Sequence, residues 1–246
     1  MHWVSATISK RGLRPEENED AIEASPAKLR FAIADGATEG WESGPWATCL
    51  AKAFADQPPT PANFPEWLAT TQSKWRPRQD SGPVSWFAEI KQEEGSFATL
   101  VGIEFRFSQQ PARWAWKAVA IGDSCLFQVR EGSLLQVFPI TTQEGFGSNP
   151  QLVPSLPAIA CPEPEWLAGL GQPLDLFILA TDAVAAHLVA LKTPNEWSPV
   201  LAAIEKGLQT RDPATLLEWF PSVQAIKNDD LSVIAIQIPG TAEAPA

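Results

Sequence analysis

Five aspartates of this sequence occupy positions from which a carboxylate could bind a metal ion. Each stands at the end of a predicted strand or at a turn, beside a glycine, an asparagine or a small residue; they are Asp20, Asp35, Asp123, Asp182 and Asp229. Carboxylates presented in this way are the hard oxygen ligands that Mg2+ and Mn2+ prefer. A single aspartate of this kind is more often a turn or capping residue, so the prediction depends on all five taken together and in this order.

The histidines and cysteines form no competing catalytic or metal-binding pattern. His2 is terminal, and His187 is predicted to lie in a helix, where a structural or surface role is expected. The three cysteines are widely spaced and include no Cys-x-x-Cys pair, which argues against a disulfide framework and against a zinc site. We expect them to be small buried apolar side chains; they are Cys49, Cys125 and Cys161.

Composition describes an acidic globular protein. Of 246 residues, 45% are hydrophobic and 19% charged, so a substantial core is expected and wholesale disorder is not. The formal net charge of -11 disfavours binding to nucleic acid or to an anionic membrane surface. No apolar run has the length of a signal peptide or of a membrane span, and a cytoplasmic location is the expectation.

Short apolar runs predict the strands that would carry these aspartates. We expect strands at 3–9, 29–35, 98–107, 113–121, 125–130, 133–138, 174–181 and 231–238, and helices at 44–56, 183–191, 197–209 and 213–220. The segment 62–90 is ambiguous, with one or two helices broken around Pro77 and Pro83. Because strands follow strands and helices follow helices, the pattern favours an α+β fold. We expect one domain, 1–240, followed by a flexible tail at 241–246.

The central strands are separated by turn-length gaps, which predicts antiparallel pairing. The dipeptide Glu131-Gly132 lies between two alternating runs and is a two-residue hairpin signal. The segment 140–173 is rich in Gly and Pro, and we expect an irregular excursion there; long loops of this kind are often functional.

Six segments resemble, in order, the motifs of the metal-dependent serine/threonine protein phosphatases of type 2C. Each motif is weak alone, but together they extend over nearly the whole chain, and they are closest to a divergent bacterial branch of that family. The segments are Asn18-Glu19-Asp20-Ala21, Phe31-Ala32-Ile33-Ala34-Asp35-Gly36, Gly95-Ser96-Phe97-Ala98-Thr99, Gly122-Asp123-Ser124, 176–182 with its final Thr181-Asp182, and Asn228-Asp229-Asp230-Leu231-Ser232.

The resemblance implies a four-layer sandwich of two antiparallel β-sheets flanked by α-helices, with two or three Mg2+ or Mn2+ ions at one end. Asp35 would bridge two ions, and the carbonyl group of Gly36 would bind one of them. Asp182 and Asp229 would complete the coordination of the first ion.

The resemblance also assigns outer ligands and a residue for the substrate phosphate. Asp20 and Glu19 would hold bound water or the neighbouring ion, and Asp123 matches the position that binds a third, weaker ion. Arg14 is the candidate for the phosphate, since a guanidinium group matches two phosphate oxygens. It stands further from Asp20 than the family's arginine does from its aspartate, so a solvated surface arginine is the alternative reading, and Arg11 is the reserve.

The implied reaction is hydrolysis of phosphoserine or phosphothreonine in a partner protein, with a cognate serine/threonine kinase as a further expected partner. Two divalent ions would neutralise the phosphate dianion and lower the pKa of a bridging water that attacks phosphorus in line. No covalent intermediate is needed, which agrees with the lack of a Ser–His pair or a nucleophilic cysteine.

The sequence departs from the family in several places. After Gly36, the segment 37–40 lacks the general-acid histidine of eukaryotic members, so water would have to protonate the leaving group. Ala183 and Asp230 stand where Gly and Asn are usual, and Asp230 adds negative charge near the ions. The segment 140–173 replaces the family's flap and lacks its Asp-His-Ser sequence.

Two alternatives therefore stay open. The first is a catalytically inactive domain of the same fold that serves as a binding or regulatory module, since one fold hosts many functions. The second is a metal-dependent hydrolase of small phosphate esters.

Overall fold

Two antiparallel β-sheets stack face to face in the computed structural model, which describes residues 1–37, 41–75, 91, 93–109, 112–147 and 149–240. The first sheet contains β1 (His2–Ile8), β7 (Cys125–Arg130), β8 (Ser133–Phe138), β11 (Leu176–Ala180) and β12 (Leu231–Gln237), in the order β1-β12-β11-β7-β8. The second contains β2 (Asp20–Ser25), β3 (Arg30–Asp35), β5 (Leu100–Gln109), β6 (Ala112–Ile121) and β10 (Glu165–Gly171), in the order β10-β6-β5-β3-β2. A short ladder joins β4 (Phe97–Ala98) to β9 (Val153–Pro154).

Helices cover the outer face of each sheet. The first sheet packs against α3 (Asp182–Ala190), α4 (Pro194–Thr210), α5 (Ala214–Leu217) and α6 (Phe220–Ile226). The second sheet packs against α1 (Ser43–Asp56) and α2 (Phe64–Lys74). The layers are therefore helix, sheet, sheet and helix, which confirms the predicted α+β four-layer sandwich.

The alternation of side chains along β3 explains why this strand reads as a continuous apolar run. Phe31 and Ile33 point into the core between the two sheets, while Ala32 and Ala34 face α1, and all four are fully buried. A strand covered on both faces must be apolar at every position. The carboxylate of Asp35 marks the point where the strand leaves this core.

Aromatic rings fasten the two sheets together. Phe177 of β11 lies edge-on to Phe105, with ring centroids 4.9 Å apart, and edge-on to Trp116, with centroids 5.6 Å apart. Phe105 and Trp116 belong to the opposite sheet, so these contacts bridge the interface. Edge-to-face pairs of this kind add to the burial of apolar area and fix how one sheet sits on the other.

The predicted elements are largely confirmed, including the hairpin between β7 and β8. Glu131 and Gly132 have φ angles of 51° and 74°, the positive values that a two-residue turn of this hand requires. The predicted strand at 98–107 is split into β4 and β5, and the predicted helix at 213–220 is in fact two short helices, α5 and α6.

Three strands, β2, β9 and β10, were not predicted. The expectation that the segment 140–173 is irregular throughout was wrong. It contains β9, which pairs with β4, and it ends in β10, an edge strand that pairs with β6. The sequence signal of β10 is weak because two of its residues are glycines. Packing requires glycine at position 169, since a Cβ atom there would lie 2.5 Å from the ring of Trp116. Asp20 opens β2, whereas the sequence analysis placed Asp20 after the first strand and predicted no strand beginning there.

Three further expectations concern the segment after α2, the cysteines and membrane-spanning helices. Residues 76–90, where a second helix was considered, lie outside the described residues, as do residue 92 and the tail 241–246. All three cysteines are free thiols. In the described part of the chain, no helix combines the length and the apolar character needed to cross a membrane.

We predict that Gly102→Ala destabilises the fold. Gly102 lies in β5 directly beneath α1, and a Cβ atom there would lie 2.6 Å from the ring of Phe54, which is 2% exposed. Overpacking a closed contact of this kind costs about 1–3 kcal/mol of unfolding free energy. Urea denaturation measures the loss.

Gly147→Ala is the matched control, because a Cβ atom at Gly147 would have no neighbour within 4 Å. Equal denaturation midpoints for the two variants would show that α1 does not rest on β5 as closely as described.

Candidate active site

Two of the predicted carboxylates face each other across adjacent strands. In the register of β2 and β3, Asp20 is the partner of Asp35, so the first residue of one strand lies beside the last residue of the other. One residue beyond this pair, the amide of Gly36 donates a hydrogen bond of 3.1 Å to the carbonyl of Glu19 and links the two chain segments. Both aspartates thus lie on a fixed backbone at one end of the second sheet.

Gly36 is required by close packing. A Cβ atom there would lie 2.7 Å from the carbonyl carbon of Ser43 and 2.9 Å from the carbonyl oxygen of Glu19. The start of α1 therefore rests directly on the chain beside Asp35, an approach that only glycine permits. The residues 38–40, where the sequence departs from the type 2C pattern, lie outside the described part of the chain.

Polar neighbours orient Asp20. Its amide donates to the side-chain oxygen of Asn18 at 2.8 Å, and its Oδ2 accepts a hydrogen bond from the hydroxyl of Thr181 at 3.0 Å. Oδ1 is shielded from solvent and has no hydrogen-bond partner among the described residues. A buried carboxylate oxygen without a donor is costly, and it is the kind of atom that a cation would satisfy.

Thr99 connects Asp35 to the corner that carries Asp123. The Thr99 hydroxyl accepts a hydrogen bond from the amide of Asp35 at 3.1 Å and lies 2.7 Å from the hydroxyl of Ser124. Gly122 completes the corner with a φ of 100°, and a Cβ atom on it would lie 2.7 Å from the Thr99 methyl group. The position of Asp123, which is only 4% exposed, is therefore tied to that of Asp35.

Two lysines hold the other two predicted ligands. The ammonium group of Lys227 pairs with Oδ2 of Asp182, the first residue of α3, and with Oδ2 of Asp229 at 2.9 Å. Lys10 pairs with Oδ1 of Asp229 at 3.2 Å and lies 3.9 Å from a carboxylate oxygen of Glu19. In this arrangement both oxygens of Asp229 face an ammonium group.

Asp230 accepts hydrogen bonds from the backbone at two distant points of the chain, a role that the sequence does not predict. Its two oxygens accept hydrogen bonds from the amides of Lys10 at 2.8 Å and Glu19 at 3.0 Å. The side chain is 4% exposed and thereby joins the ends of β1, β2 and β12. The Asp230 carboxylate therefore holds these strand ends together and also adds negative charge near Asp20.

The pKa values divide the carboxylates into two groups. Burial, followed by repulsion from Asp230 and Asp182, raises the pKa of Asp20 to about 8. Burial and repulsion from Asp182 also raise the pKa of Asp123, to about 6.

Asp35 belongs to the same group, because burial and its four acidic neighbours raise its pKa well above the ordinary value. Burial also acts to raise the pKa of Asp229, but there Lys227 and Lys10 outweigh it and lower the pKa. Lys227 and Lys10 thus balance the charge of Asp182 and Asp229. The other three aspartates have no such partner among the described residues, and their pKa values stay raised.

The donor chemistry fits divalent cations, although the side chains are not gathered around one point. In the residues that the structure describes, no three His, Cys, Asp or Glu side chains are grouped closely enough to hold a metal ion as they stand. Asp35 nevertheless interacts electrostatically with the other four, which are Asp20, Asp123, Asp182 and Asp229. These carboxylates are therefore close enough to affect one another's charge without surrounding a common point.

The arginines considered for the phosphate lie at the surface. The side chain of Arg14 is 79% exposed, and its described partner is Glu17, at 3.2 Å. The side chain of Arg11 donates to Gln224 and to the carbonyl of Pro221. A role for Arg14 in binding phosphate stays a prediction.

His187 shows the structural role that was expected. Its ring stacks on Trp219 with centroids 5.9 Å apart, and burial lowers its pKa.

Sequence reasoning did not single out Thr181, Lys10 or Lys227. Thr181 precedes a predicted ligand, and Lys227 stands two residues before another, so proximity in sequence was an available signal. Lys10 carried none, because its partner Asp229 is brought to it only by the pairing of β1 with β12.

No family model matches the chain, and no curated protein matches it. Solved structures do. The catalytic domain of the serine/threonine phosphatase PstP in complex with two manganese ions matches with a TM-score of 0.59 at 19% identity, over 96% of this chain and 99% of that one. The PPM phosphatase MsPP of Mycobacterium smegmatis, in complex with cacodylate, matches with a TM-score of 0.60 at 18% identity, over 97% and 98%.

A phosphatase of Toxoplasma gondii matches with a TM-score of 0.64 at 15% identity, over 97% of this chain and 93% of that one. The chain therefore has the fold of the type 2C-like phosphatases over nearly its whole length. These structural matches establish the fold, and at such low identity they leave the activity to be argued from the site.

We predict that, without metal, the protein loses stability as pH rises from about 4 to about 8. The folded pKa of Asp20, about 8, lies above its ordinary value of 3.8, so between these pH values the folded protein holds a proton that the unfolded chain has released. Each such group contributes at most about 1.4 kcal/mol per pH unit, and the loss levels off above the folded pKa. Urea denaturation in chelator across this range measures the slope.

Asp20→Asn removes one of these groups and should make the slope shallower, while Asp35 and Asp123, whose pKa values are also raised, keep part of it. The matched control is Asp56→Asn, at the exposed end of α1, which should keep the slope. An unchanged slope in Asp20→Asn would refute the assignment of the proton to Asp20.

Proposed function

We propose that the protein is a metal-dependent phosphatase that hydrolyses phosphoserine or phosphothreonine in a partner protein. The observation that carries the proposal is the convergence of five aspartates, each from a different element or corner, at one end of the sandwich. Carboxylates that lie close together with limited access to water are costly unless a cation balances them. The fold that the chain shares with solved serine/threonine phosphatases supports the same reading.

The residues would divide the work of holding two or three Mg2+ or Mn2+ ions. Asp35 would be a ligand of two ions, and the carbonyl of Gly36 a ligand of one of them. Asp182 and Asp229 would complete the ligands of the first ion. Such ions would neutralise a phosphate dianion and lower the pKa of a bound water.

The outer carboxylates have separate tasks in this proposal. Asp20, with Glu19 next to it, would bind the neighbouring ion or orient its water, and the unpartnered Oδ1 of Asp20 supports that role. Asp123 would hold a third ion. Oxygen ligands of this type suit Mg2+ and Mn2+ alike.

The surrounding side chains keep these carboxylates in place. The hydroxyls of Thr181 and Thr99 hold Asp20 and the backbone of Asp35, and the two oxygens of Asp230 hold the amides of Lys10 and Glu19. Such supporting groups fix the orientation that the reacting carboxylates need.

Arg14 completes the proposal as the group that meets the substrate phosphate. Its side chain is exposed and pairs with Glu17 at the surface, and an exposed side chain of this length could turn toward a phosphorylated segment. A serine/threonine kinase is the class of enzyme that would supply the substrate.

A second candidate function is a binding or regulatory module without catalysis. The pairing of Lys227 and Lys10 with Asp182 and Asp229 favours it, because these ammonium groups balance part of the acidic charge without any metal. The same experiment separates the two functions.

We expect purified protein to hydrolyse p-nitrophenyl phosphate and a phosphothreonine peptide with Mn2+ or Mg2+, and not with chelator. Asp35→Asn and Asp229→Asn should each lower turnover by at least about 100-fold, because each removes a negative ligand while keeping the shape of the side chain. Steady-state rates measure the effect.

The control is again Asp56→Asn, which keeps the fold and lies on the surface. Folded wild-type protein that turns over neither substrate with either metal would overturn the enzyme and leave the binding module. Turnover of nucleotides in preference to phosphopeptides would instead identify a hydrolase of small phosphate esters.

A further inference from the structure

Lys227 is placed by the end of a helix directly against the acidic cluster. Its amide donates to the carbonyl of Val223 at 3.1 Å, which closes the last turn of α6, and its backbone is then extended. The side chain is 51% exposed, yet its ammonium group contacts the carboxylates of Asp182 and Asp229. The stem is therefore accessible while its charged end is engaged.

The position of that ammonium group coincides with the place assigned to a metal ion. Asp182 is the first residue of α3 and Asp229 stands two residues before β12, and Lys227 is the group that joins them. A lysine ammonium is a compact point charge on a flexible stem, so it can balance two carboxylates as a cation does.

Lys10 differs from Lys227 in both respects. Its side chain is 18% exposed, and it reaches one oxygen of Asp229, at 3.2 Å, without touching Asp182. Its backbone is fixed by the hydrogen bond from its amide to Asp230. Of the two lysines, Lys227 is therefore the one that bridges Asp182 and Asp229, and its more exposed side chain can turn away into solvent.

We propose that Lys227 is a built-in competitor for the first divalent ion: its ammonium group holds Asp182 and Asp229 together in the metal-free protein and must be displaced before an ion can bind there. The inference rests on the proposed function, in which these two aspartates bind metal. Displacement requires only rotation of the exposed stem toward solvent. The remaining carboxylates, Asp20, Asp35 and Asp123, have no ion pair with Lys or Arg in the described part of the chain.

Metal occupancy should therefore depend on the charge at position 227. Lys227→Met removes the ammonium group and keeps most of the length of the side chain, so we expect Mn2+ to bind at least about tenfold more tightly than in the wild type. Lys227→Arg keeps the positive charge and should stay close to the wild type. Electron paramagnetic resonance of free Mn2+ during titration measures the affinities without reference to turnover.

Lys206→Met is the matched control for net charge. Lys206 is 59% exposed and pairs with Glu218 on the outer helices, so its loss changes the total charge by the same amount without touching the cluster. Tighter binding in Lys227→Met than in both Lys206→Met and the wild type supports the inference. Equal binding in Lys227→Met and the wild type overturns it and leaves the metal site standing.

A measurement on the wild-type protein guards against a variant that fails to fold. We expect saturating Mn2+ to increase the acetylation of Lys227 by acetic anhydride, read by mass spectrometry, relative to Lys206 in the same molecule. No increase while Mn2+ binds would refute displacement. If neither the wild type nor Lys227→Met binds Mn2+, the proposed function fails as well, and that result differs from binding that is equal in both.

Discussion

Repulsion between carboxylates confined to one end of the sandwich is the constraint on which the rest of this structure depends. Asp20 and Asp35 are neighbours in the strand register, and both are only partly exposed, so water screens their charges poorly. The surrounding structure must hold them in place against that repulsion. It does so with a backbone hydrogen bond from Gly36 to Glu19, with hydroxyl groups from Thr99 and Thr181, and with lysine ammonium groups on the far side of the cluster.

The antiparallel sandwich suits this task because it brings distant strand ends together on a rigid frame. Asp230, at the start of β12, accepts hydrogen bonds from the amides of Lys10 and Glu19, which follow β1 and precede β2. The Asp230 carboxylate thus joins the two sheets at the site. Aromatic rings such as Phe105 and Phe177 join them in the core. A site built on strand ends is held more precisely than one built on loops alone.

How much the sequence reveals depends on whether a feature is local. Apolar runs that end in a carboxylate predicted β3 and β11 with their aspartates, and Glu131-Gly132 predicted its hairpin, because each signal lies within a few residues. The edge strand β10 gave no such signal, since its glycines serve contacts made by Trp116 and Ile238 from elsewhere in the fold. Ion pairs such as that of Lys10 with Asp229 join residues far apart in sequence, and no local pattern encodes them.

The lysines bear on what kind of protein this is. A domain that had given up metal would be expected to replace its buried acids, because an unbalanced carboxylate destabilises the fold. Here Lys227 and Lys10 balance only Asp182 and Asp229, while Asp20 retains a buried oxygen with no hydrogen-bond donor in the described residues. In the proposed function, partial balance of this kind would lower the repulsion within the cluster and still leave carboxylate oxygens to which cations could bind. That combination favours a site that is filled and emptied over one that has been abandoned.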